Sequence, residues 1–212
     1  MFEYHGQPYQ KVGYAMPDWN EKKEAGEGGE FGGGLPQAKY TTESGEEVHL
    51  SQFGSILRHF GMRYGYFDAS DYQQSKFIDP LVDTFADIIN SLAKFMFAPE
   101  EEQGPLKESY IELAKKFHAL VESNLNAHSG KFAAGEKVTI ADFVMASYVG
   151  NYLINTAFPA SSEAMATVGD TPKFEAYMQT VQDEFTYLKT RPTPGAMWFH
   201  EENFIVSTNR SS

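Results

Sequence analysis

One long amphipathic stretch limits the possible folds of this chain more than any other feature of its sequence. Between residues 76 and 97, large apolar side chains recur at steps of three and four residues, the spacing of one face of an α-helix. They are Phe77, Leu81, Phe85, Ile88, Ile89, Leu92, Phe95 and Met96. Such a face has to be buried against other helices, so we expect a helical bundle in which this helix ends at Pro99.

Other start and stop signals predict further helices after Ser51, which is expected to act as an N-cap. Pro105 suits the first turn of a second long helix, because proline lacks the N–H that a helix start leaves unpaired. Thr139 and Asp142 form a capping-box pattern at the start of a helix that should run to about residue 156. A last helix is predicted over residues 172–188. The chain after Ser51 is therefore predicted to be all-helical.

The first 50 residues show a different pattern, with short β-prone pieces and turn residues. Residues 9–15 alternate like a strand, and a short helix is predicted over residues 19–25. Two further strands, over residues 37–42 and 47–50, flank a Ser-Gly pair that is typical of a hairpin turn. We therefore expect a small α/β unit ahead of the helices.

A glycine-rich segment lies between these pieces, with six glycines in residues 26–34. A phosphate-binding loop would need a Gly-Lys-Ser/Thr ending, whereas this segment is acidic and has none. We interpret it as a surface loop.

Composition excludes several classes of partner and chemistry. The net charge of -12 and the pI near 4.9 repel nucleic-acid phosphates and anionic lipid, so neither nucleic acid nor a membrane is an expected partner. The chain has no cysteine, which removes disulfides, thiolate metal sites and a cysteine nucleophile. Its six histidines show no metal-ligand spacing, and no apolar run approaches the roughly 20 residues of a membrane-spanning helix. These features, and an N-terminus unlike a signal or transit peptide, predict an intracellular protein, with the cytoplasm favoured over an organelle.

Several stretches, in order along the chain, resemble the glutathione S-transferase superfamily. Leu35-Pro36-Gln37 precedes the hairpin, and L-S-Q-F-G-S-I-L-R-H-F at residues 50–60 is similar to the family pattern L-x-Q-S-x-A-I-L-R-Y-L. F-A-A-G-E-K-V-T-I-A-D-F at residues 132–143 looks like the family's turn and helix cap. Residues 82–87 resemble the sigma class, and residues 19–23 resemble the mu and sigma classes.

The resemblance implies an α+β fold with a thioredoxin-like N-terminal unit and an all-helical C-terminal bundle. We expect a reduced glutathione-site domain over residues 1–63, a helical domain over residues 76–190 and an extended tail over residues 191–212. Residues 1–9 look like the end of the family's first helix, so we expect the N-terminal unit to be truncated, without its first strand and most of its first helix. Residues 1–34 should then be irregular, or packed against another polypeptide, because the strand at residues 9–15 lacks its neighbour.

The resemblance also implies a set of substrate-binding residues for glutathione. The γ-glutamyl carboxylate would bind at the helix start formed by Gln52 and Phe53, and the cysteinyl backbone would pair with Leu35 ahead of a cis-Pro36. Trp19 and Lys23, or Lys22, would hold the glycine end. Asp87 falls where the sigma class contacts the γ-glutamyl amine of the partner subunit, so this site would be complete only in a homodimer. Arg58 is expected to pair across that dimer interface.

Two substitutions in these motifs argue against full activity. Phe53 stands where the family has serine, which removes one hydroxyl contact to the carboxylate and adds a bulky ring. Gly34 stands where an Asn or Gln usually precedes Leu-Pro. The absent first strand and helix would also carry the Tyr or Ser hydroxyl that stabilises the glutathione thiolate, so no catalytic residue is assigned.

We therefore predict a glutathione transferase-like pseudoenzyme with weak or lost catalysis, acting as an accessory subunit in a dimer or larger assembly. Glutathione would be bound weakly or not at all. The alternative is an active glutathione transferase that conjugates or isomerises small electrophiles.

Overall fold

The computed structural model describes residues 1–14, 16–26 and 34–190 of the chain. Most of the predicted glycine-rich loop and the whole predicted tail over residues 191–212 lie outside these described residues. The N-terminal elements, in order, are α1 (Phe2–His5), α2 (Met16–Glu24), β1 (Gln37–Thr41), β2 (Glu47–Ser51) and α3 (Phe53–Tyr64). The remaining elements are all helical: α4 (Tyr72–Phe97), α5 (Glu100–Asn126), α6 (Ile140–Tyr148), a π-helical turn (Val149–Leu153), α7 (Ser161–Ala166), a 3-10 turn (Thr167–Asp170), α8 (Pro172–Glu184) and α9 (Tyr187–Thr190).

The predicted hairpin is confirmed as β1 and β2, which pair antiparallel. Gln37 lies opposite Ser51 and Thr41 opposite Glu47, so β2 leads directly from the hairpin into α3. Among the described residues the sheet has only these two strands. Ser51 is the last residue of β2 and Gln52 precedes α3, so the predicted Ser51 cap was wrong by one residue.

The predicted strand over residues 9–15 does not form within the described part of that segment. Residues 7–14 are neither helix nor strand, and Tyr9 and Val12 are exposed. A strand needs a neighbour for its backbone hydrogen bonds, and in the described sheet β1 and β2 pair only with each other. The prediction of an irregular N-terminal segment is thus met at residues 7–14, although α1 and α2 lie on either side of it.

The helix predicted from residue 76 is α4, which begins four residues earlier. The Asp71 side chain accepts hydrogen bonds from the backbone N–H groups of Gln73 and Gln74, at 3.1 and 3.0 Å, and so caps the first turn. Most of the predicted apolar face is buried in the core, namely Leu81, Phe85, Ile88, Leu92 and Phe95. Phe77, Ile89 and Met96 are only partly buried, and Ile78 and Val82, which were not predicted, are buried as well.

The prediction that Pro105 lies at the start of the next helix was wrong, because α5 begins at Glu100 and contains Pro105. Pro99 takes the cap position, and three glutamates in the first turn complement the positive end of the helix dipole. Proline this close to the helix start removes a single backbone hydrogen bond on an exposed surface, so the helix tolerates it.

The predicted capping box of α6 is confirmed and extended by a third element. Asp142 accepts from the Thr139 backbone N–H at 2.8 Å, from Ala133 N–H at 2.9 Å and from the Tyr177 hydroxyl at 2.5 Å. This carboxylate therefore joins α6 to the preceding loop and to α8. Helical structure ends at Leu153, slightly before the predicted residue 156.

The last predicted helix is broken near its end. α8 stops at Glu184, and α9 begins at Tyr187. The backbone turns at Phe185, with φ -97° and ψ 69°, and this turn accompanies full burial of the Phe185 ring against Phe143 and Tyr4. Burial of one aromatic side chain therefore outweighs continuation of the helix.

Candidate functional site

The hairpin brings two of the predicted binding segments to one point. Leu35-Pro36 is a cis peptide, as the resemblance implied, and it enters β1 at Gln37. Since Gln37 lies opposite Ser51, the residues just outside that pair, Pro36 and Gln52, lie side by side at the same end of the hairpin. Leu35 is 52% exposed, so its backbone is positioned where an extended peptide could approach it.

The start of α3 has the properties of an anion-binding helix end. Gln52 has a positive φ of 69°, which is uncommon for a residue other than glycine. The side chain of Gln52, the N-cap residue, makes no capping hydrogen bond. The N–H groups of the first turn therefore point outward with the positive end of the helix dipole, an arrangement that favours a carboxylate.

Phe53 occupies the first position of α3 and turns its ring toward α4. The ring lies 5.5 Å from that of Phe85 at an interplanar angle of 62°, an edge-to-face contact, and it packs against the core while remaining half-buried. The serine hydroxyl expected here is thus replaced by a packing contact between α3 and α4.

Arg58, one turn further along α3, is bound within the chain. Its Nε donates to Asp79 at 2.9 Å, and its Nη2 donates to Asp83 at 2.8 Å. Burial lowers the pKa of Arg58, but the hydrogen bonds to Asp83 and Asp79 outweigh it and hold that pKa above its ordinary value. Both acidic partners of Arg58 belong to the same chain and were not predicted, whereas its expected pairing across a dimer interface stays a prediction. Asp79 and Asp83 are four residues apart and lie outside the apolar face of α4, so the sequence places both carboxylates on one side of the helix, where they can bind a single cation.

The guanidinium of Arg58 also lies against the first turn of α3. A Cβ atom on Gly54 would come within 2.9 Å of Arg58 Nη1. Glycine at this position therefore leaves room for the charged group beside the helix start.

Asp87 lies one turn beyond Asp83 on the exposed side of α4. Residues 79, 83 and 87 form an acidic row at intervals of four, so Asp87 faces solvent rather than the core. It is available to a partner molecule.

Trp19 and Lys23 lie on α2 and differ in burial. Trp19 is only 7% exposed and lies 5.3 Å from the ring of Tyr14, whereas Lys23 is exposed. Lys22 lies over the same Tyr14 ring at 5.8 Å. Much of the Trp19 side chain is therefore used in packing, and Lys23 is the more accessible of the two predicted contacts.

Three phenols outside the predicted site remain protonated at neutral pH. Burial raises the pKa of the half-buried Tyr4 and Tyr66 and of the buried Tyr110, and in Tyr4 a hydrogen bond to Glu184 adds to the rise. The Tyr4 hydroxyl already donates to Glu184.

Two further observations concern only the described ranges. No cluster of His, Asp and Glu there could hold a metal ion. Among the helices of residues 1–14, 16–26 and 34–190, none is both long and apolar enough to cross a membrane.

Comparison with known proteins finds similarity in sequence and in fold. Residues 86–184 match the family model described as "Glutathione S-transferase, C-terminal domain". The chain is 27% identical over 172 residues to glutathione S-transferase P 1 of Xenopus laevis, covering 78% of this chain and 77% of that protein. Its structure is similar to a monomeric glutathione S-transferase of Necator americanus, with a TM-score of 0.68, 18% identity and coverage of 90% and 88%. The sigma class enzyme of Fasciola hepatica gives a TM-score of 0.68 at 17% identity, with coverage of 90% and 88%.

Proposed function

Because this chain belongs to the glutathione S-transferase superfamily, we propose that it is a glutathione-binding member with weakened affinity and weak or lost transferase activity. Its role would be structural or accessory, within a dimer or a larger assembly. The observation that carries this proposal is the Phe53 ring, packed against Phe85 where the family pattern has a serine hydroxyl.

Retained binding geometry supports a residual glutathione site. The cis Leu35-Pro36 peptide can pair with an extended peptide backbone, and the uncapped start of α3 beside it can accept a carboxylate. A γ-glutamyl peptide presents both groups. In this proposal Lys23 and part of Trp19 contact its glycine end.

The missing hydroxyl supports weakened affinity. A hydrogen bond to a charged group contributes about 1.5–3 kcal/mol, which corresponds to roughly a tenfold to hundredfold change in Kd. The remaining N–H groups of the first turn still favour an anion, so the loss weakens binding without abolishing it.

The same substitution provides the test. Glutathione is titrated calorimetrically into the wild-type chain, Phe53→Ser and Phe53→Ala. Both variants lose the contact with Phe85, so their difference isolates the hydroxyl. We expect Phe53→Ser to bind about tenfold to hundredfold more tightly than Phe53→Ala.

Two results would contradict this proposal. Equal affinities of the serine and alanine variants would show that a hydroxyl at residue 53 makes no contact with the bound carboxylate, so the missing serine could not be the cause of weakened binding. Tight micromolar binding and turnover of an electrophile by the wild-type chain would favour the alternative, an active transferase.

We also propose a homodimer whose interface includes α4, with Asp87 contributing to the partner's site. The exposure of Asp87 and its position beyond the Arg58 ion pairs support this role. The Necator americanus relative is described as monomeric, so the association of this chain has to be measured. Sedimentation at micromolar concentration should show a dimer, and a strictly monomeric chain would remove both proposals.

A further inference from the structure

A buried chain of hydrogen bonds crosses the helical domain, away from the proposed glutathione site. His118 on α5 is fully buried; its Nε2 lies 2.7 Å from the Tyr148 hydroxyl on α6, and its Nδ1 lies 2.8 Å from Thr167 Oγ1 at the 3-10 turn. The ring also lies 5.0 Å from that of Phe174 on α8. One imidazole thus connects three helical elements and packs on a fourth.

The donor of each hydrogen bond made by His118 can be assigned from one carbonyl group. Thr167 Oγ1 lies 2.8 Å from the Ala164 carbonyl oxygen, which can only accept, so the threonine proton is directed there. Thr167 must then accept from His118 Nδ1–H. A neutral imidazole has one N–H, so Nε2 accepts the proton of the Tyr148 hydroxyl.

Tyr110 lies beside this chain with unused hydrogen-bonding capacity. Its side chain is fully buried, and its hydroxyl is the buried side-chain polar atom that lacks a hydrogen-bond partner among the described residues. It approaches the Tyr148 hydroxyl without forming a hydrogen bond of normal length, and this approach raises the pKa of the Tyr148 phenol, after the larger effect of burial. Buried hydroxyl groups are normally paired, so this exception calls for an explanation.

We propose that Tyr110, Tyr148 and His118 form a reversible hydrogen-bond relay whose direction is set by the protonation of His118. When Nε2 gains a proton, it donates to the Tyr148 oxygen, and Tyr148 can no longer donate to the imidazole. The Tyr148 proton then rotates toward the Tyr110 oxygen, which accepts it. The helical core thereby takes up one proton without exposing His118 to solvent.

The surroundings of the ring support a switch at acidic pH. The groups facing it are Tyr148 from α6, Thr167 from the 3-10 turn and the apolar Phe174 from α8. On α5 itself, Glu122 lies one turn away, where it accepts from the Phe174 backbone N–H at 2.8 Å. Burial lowers the pKa of His118 to about 4, from an ordinary value of 6.5.

The test compares the wild-type chain with Tyr110→Phe, with Tyr72→Phe as a control because Tyr72 is 75% exposed on α4. NMR follows the imidazole nitrogens of His118 from pH 7 downward. In the wild type at pH 7 we expect the proton on Nδ1. In Tyr110→Phe, the Tyr148 hydroxyl has no oxygen to donate to when His118 is protonated. The proton affinity of His118 should therefore fall about threefold to tenfold, as expected for one lost hydrogen bond.

Stability at neutral pH separates this role from simple packing. Since the Tyr110 hydroxyl has no partner in the neutral state, Tyr110→Phe should unfold at the same urea concentration as the wild type at pH 7 and at a lower one near pH 4. An Nε2–H tautomer at pH 7, an unchanged proton affinity in Tyr110→Phe, or equal destabilisation at both pH values would each overturn the relay.

Discussion

Tyr4 connects the first helix of the chain to the end of α8 through one charged hydrogen bond. Its hydroxyl donates to Glu184 at 2.6 Å, and Glu184 also pairs with Lys131 at 3.1 Å. The Tyr4 ring packs against Tyr66, Phe143 and Phe185. This single residue therefore joins the N-terminal segment to α6 and to the turn after α8.

This hydrogen bond should make stability depend on pH in a defined range. The bond from Tyr4 lowers the pKa of Glu184 below its ordinary 4.5, with burial opposing it. A carboxylate with a depressed pKa stabilises the folded state above its unfolded pKa, and this stabilisation is lost as the pH falls through the folded value. Tyr4→Phe should cost about 1.5–3 kcal/mol at pH 7 and less near pH 3. Urea unfolding at both pH values measures the difference.

The control for this prediction is again Tyr72→Phe, which should leave stability unchanged. If Tyr4→Phe were equally destabilising at pH 3 and pH 7, the contribution of the Tyr4 hydroxyl would not depend on the charge of Glu184, and the prediction would be contradicted.

Asp142 and Arg58 show how far individual side chains could be predicted from sequence. The role of Asp142 as a cap was predictable, because its Thr139 partner is three residues away and the pattern is local. The Arg58 partners were not, since Asp79 and Asp83 lie more than 20 residues later and reach Arg58 only through the packing of α3 on α4. Local sequence patterns cannot predict an ion pair that forms only through tertiary packing.

The contact between α3 and the start of α6 depends on a glycine. A Cβ atom on Gly61 would overlap Ile140 Cγ2 and come within 3.0 Å of Phe67 Cβ. Gly61 is itself buried. Glycine at this position therefore lets the two helices approach closely.

Gly61→Ala should consequently destabilise the fold by about 1–3 kcal/mol, the usual cost of overpacking. Gly104→Ala is the matched control, because a Cβ there meets nothing within 4 Å and the residue lies in α5, where alanine should add up to about 1 kcal/mol of stability. Thermal unfolding of both variants measures these effects. A Gly61→Ala variant more stable than the wild type would contradict the close contact between α3 and the start of α6.

Helices were easier to predict than their ends or the first strand. The apolar period of α4 identifies a helix regardless of context, and most residues of the predicted face are buried. Three features depend instead on burial and on strand partners: the start of α5 ahead of Pro105, the break at Phe185, and the absence of a strand from the described residues 9–14. Alternation alone cannot supply a neighbouring strand.

For the molecule as a whole, the start of α3 is the point where the proposed binding site meets the helical core. Phe53 packs on Phe85, and Arg58 binds two aspartates of α4. The cis peptide and helix start came from family resemblance, since the same residues in isolation predict only a turn and a helix. The positive φ of Gln52 and the orientation of Phe53 became visible only in the structure.

Ionisation of bound glutathione distinguishes a binding protein from an active transferase. The chain is saturated with glutathione, and the thiolate absorbance of the bound ligand is followed from pH 5 to pH 10, with Phe53→Ser as a companion that restores affinity. We expect the bound thiol to titrate near the pKa of about 8.5 of a free thiol in both proteins, because the restored hydroxyl contacts the carboxylate and not the sulfur. Thiolate absorbance at neutral pH in the wild-type chain would show that it activates glutathione, and would contradict the assignment of weak or lost catalysis.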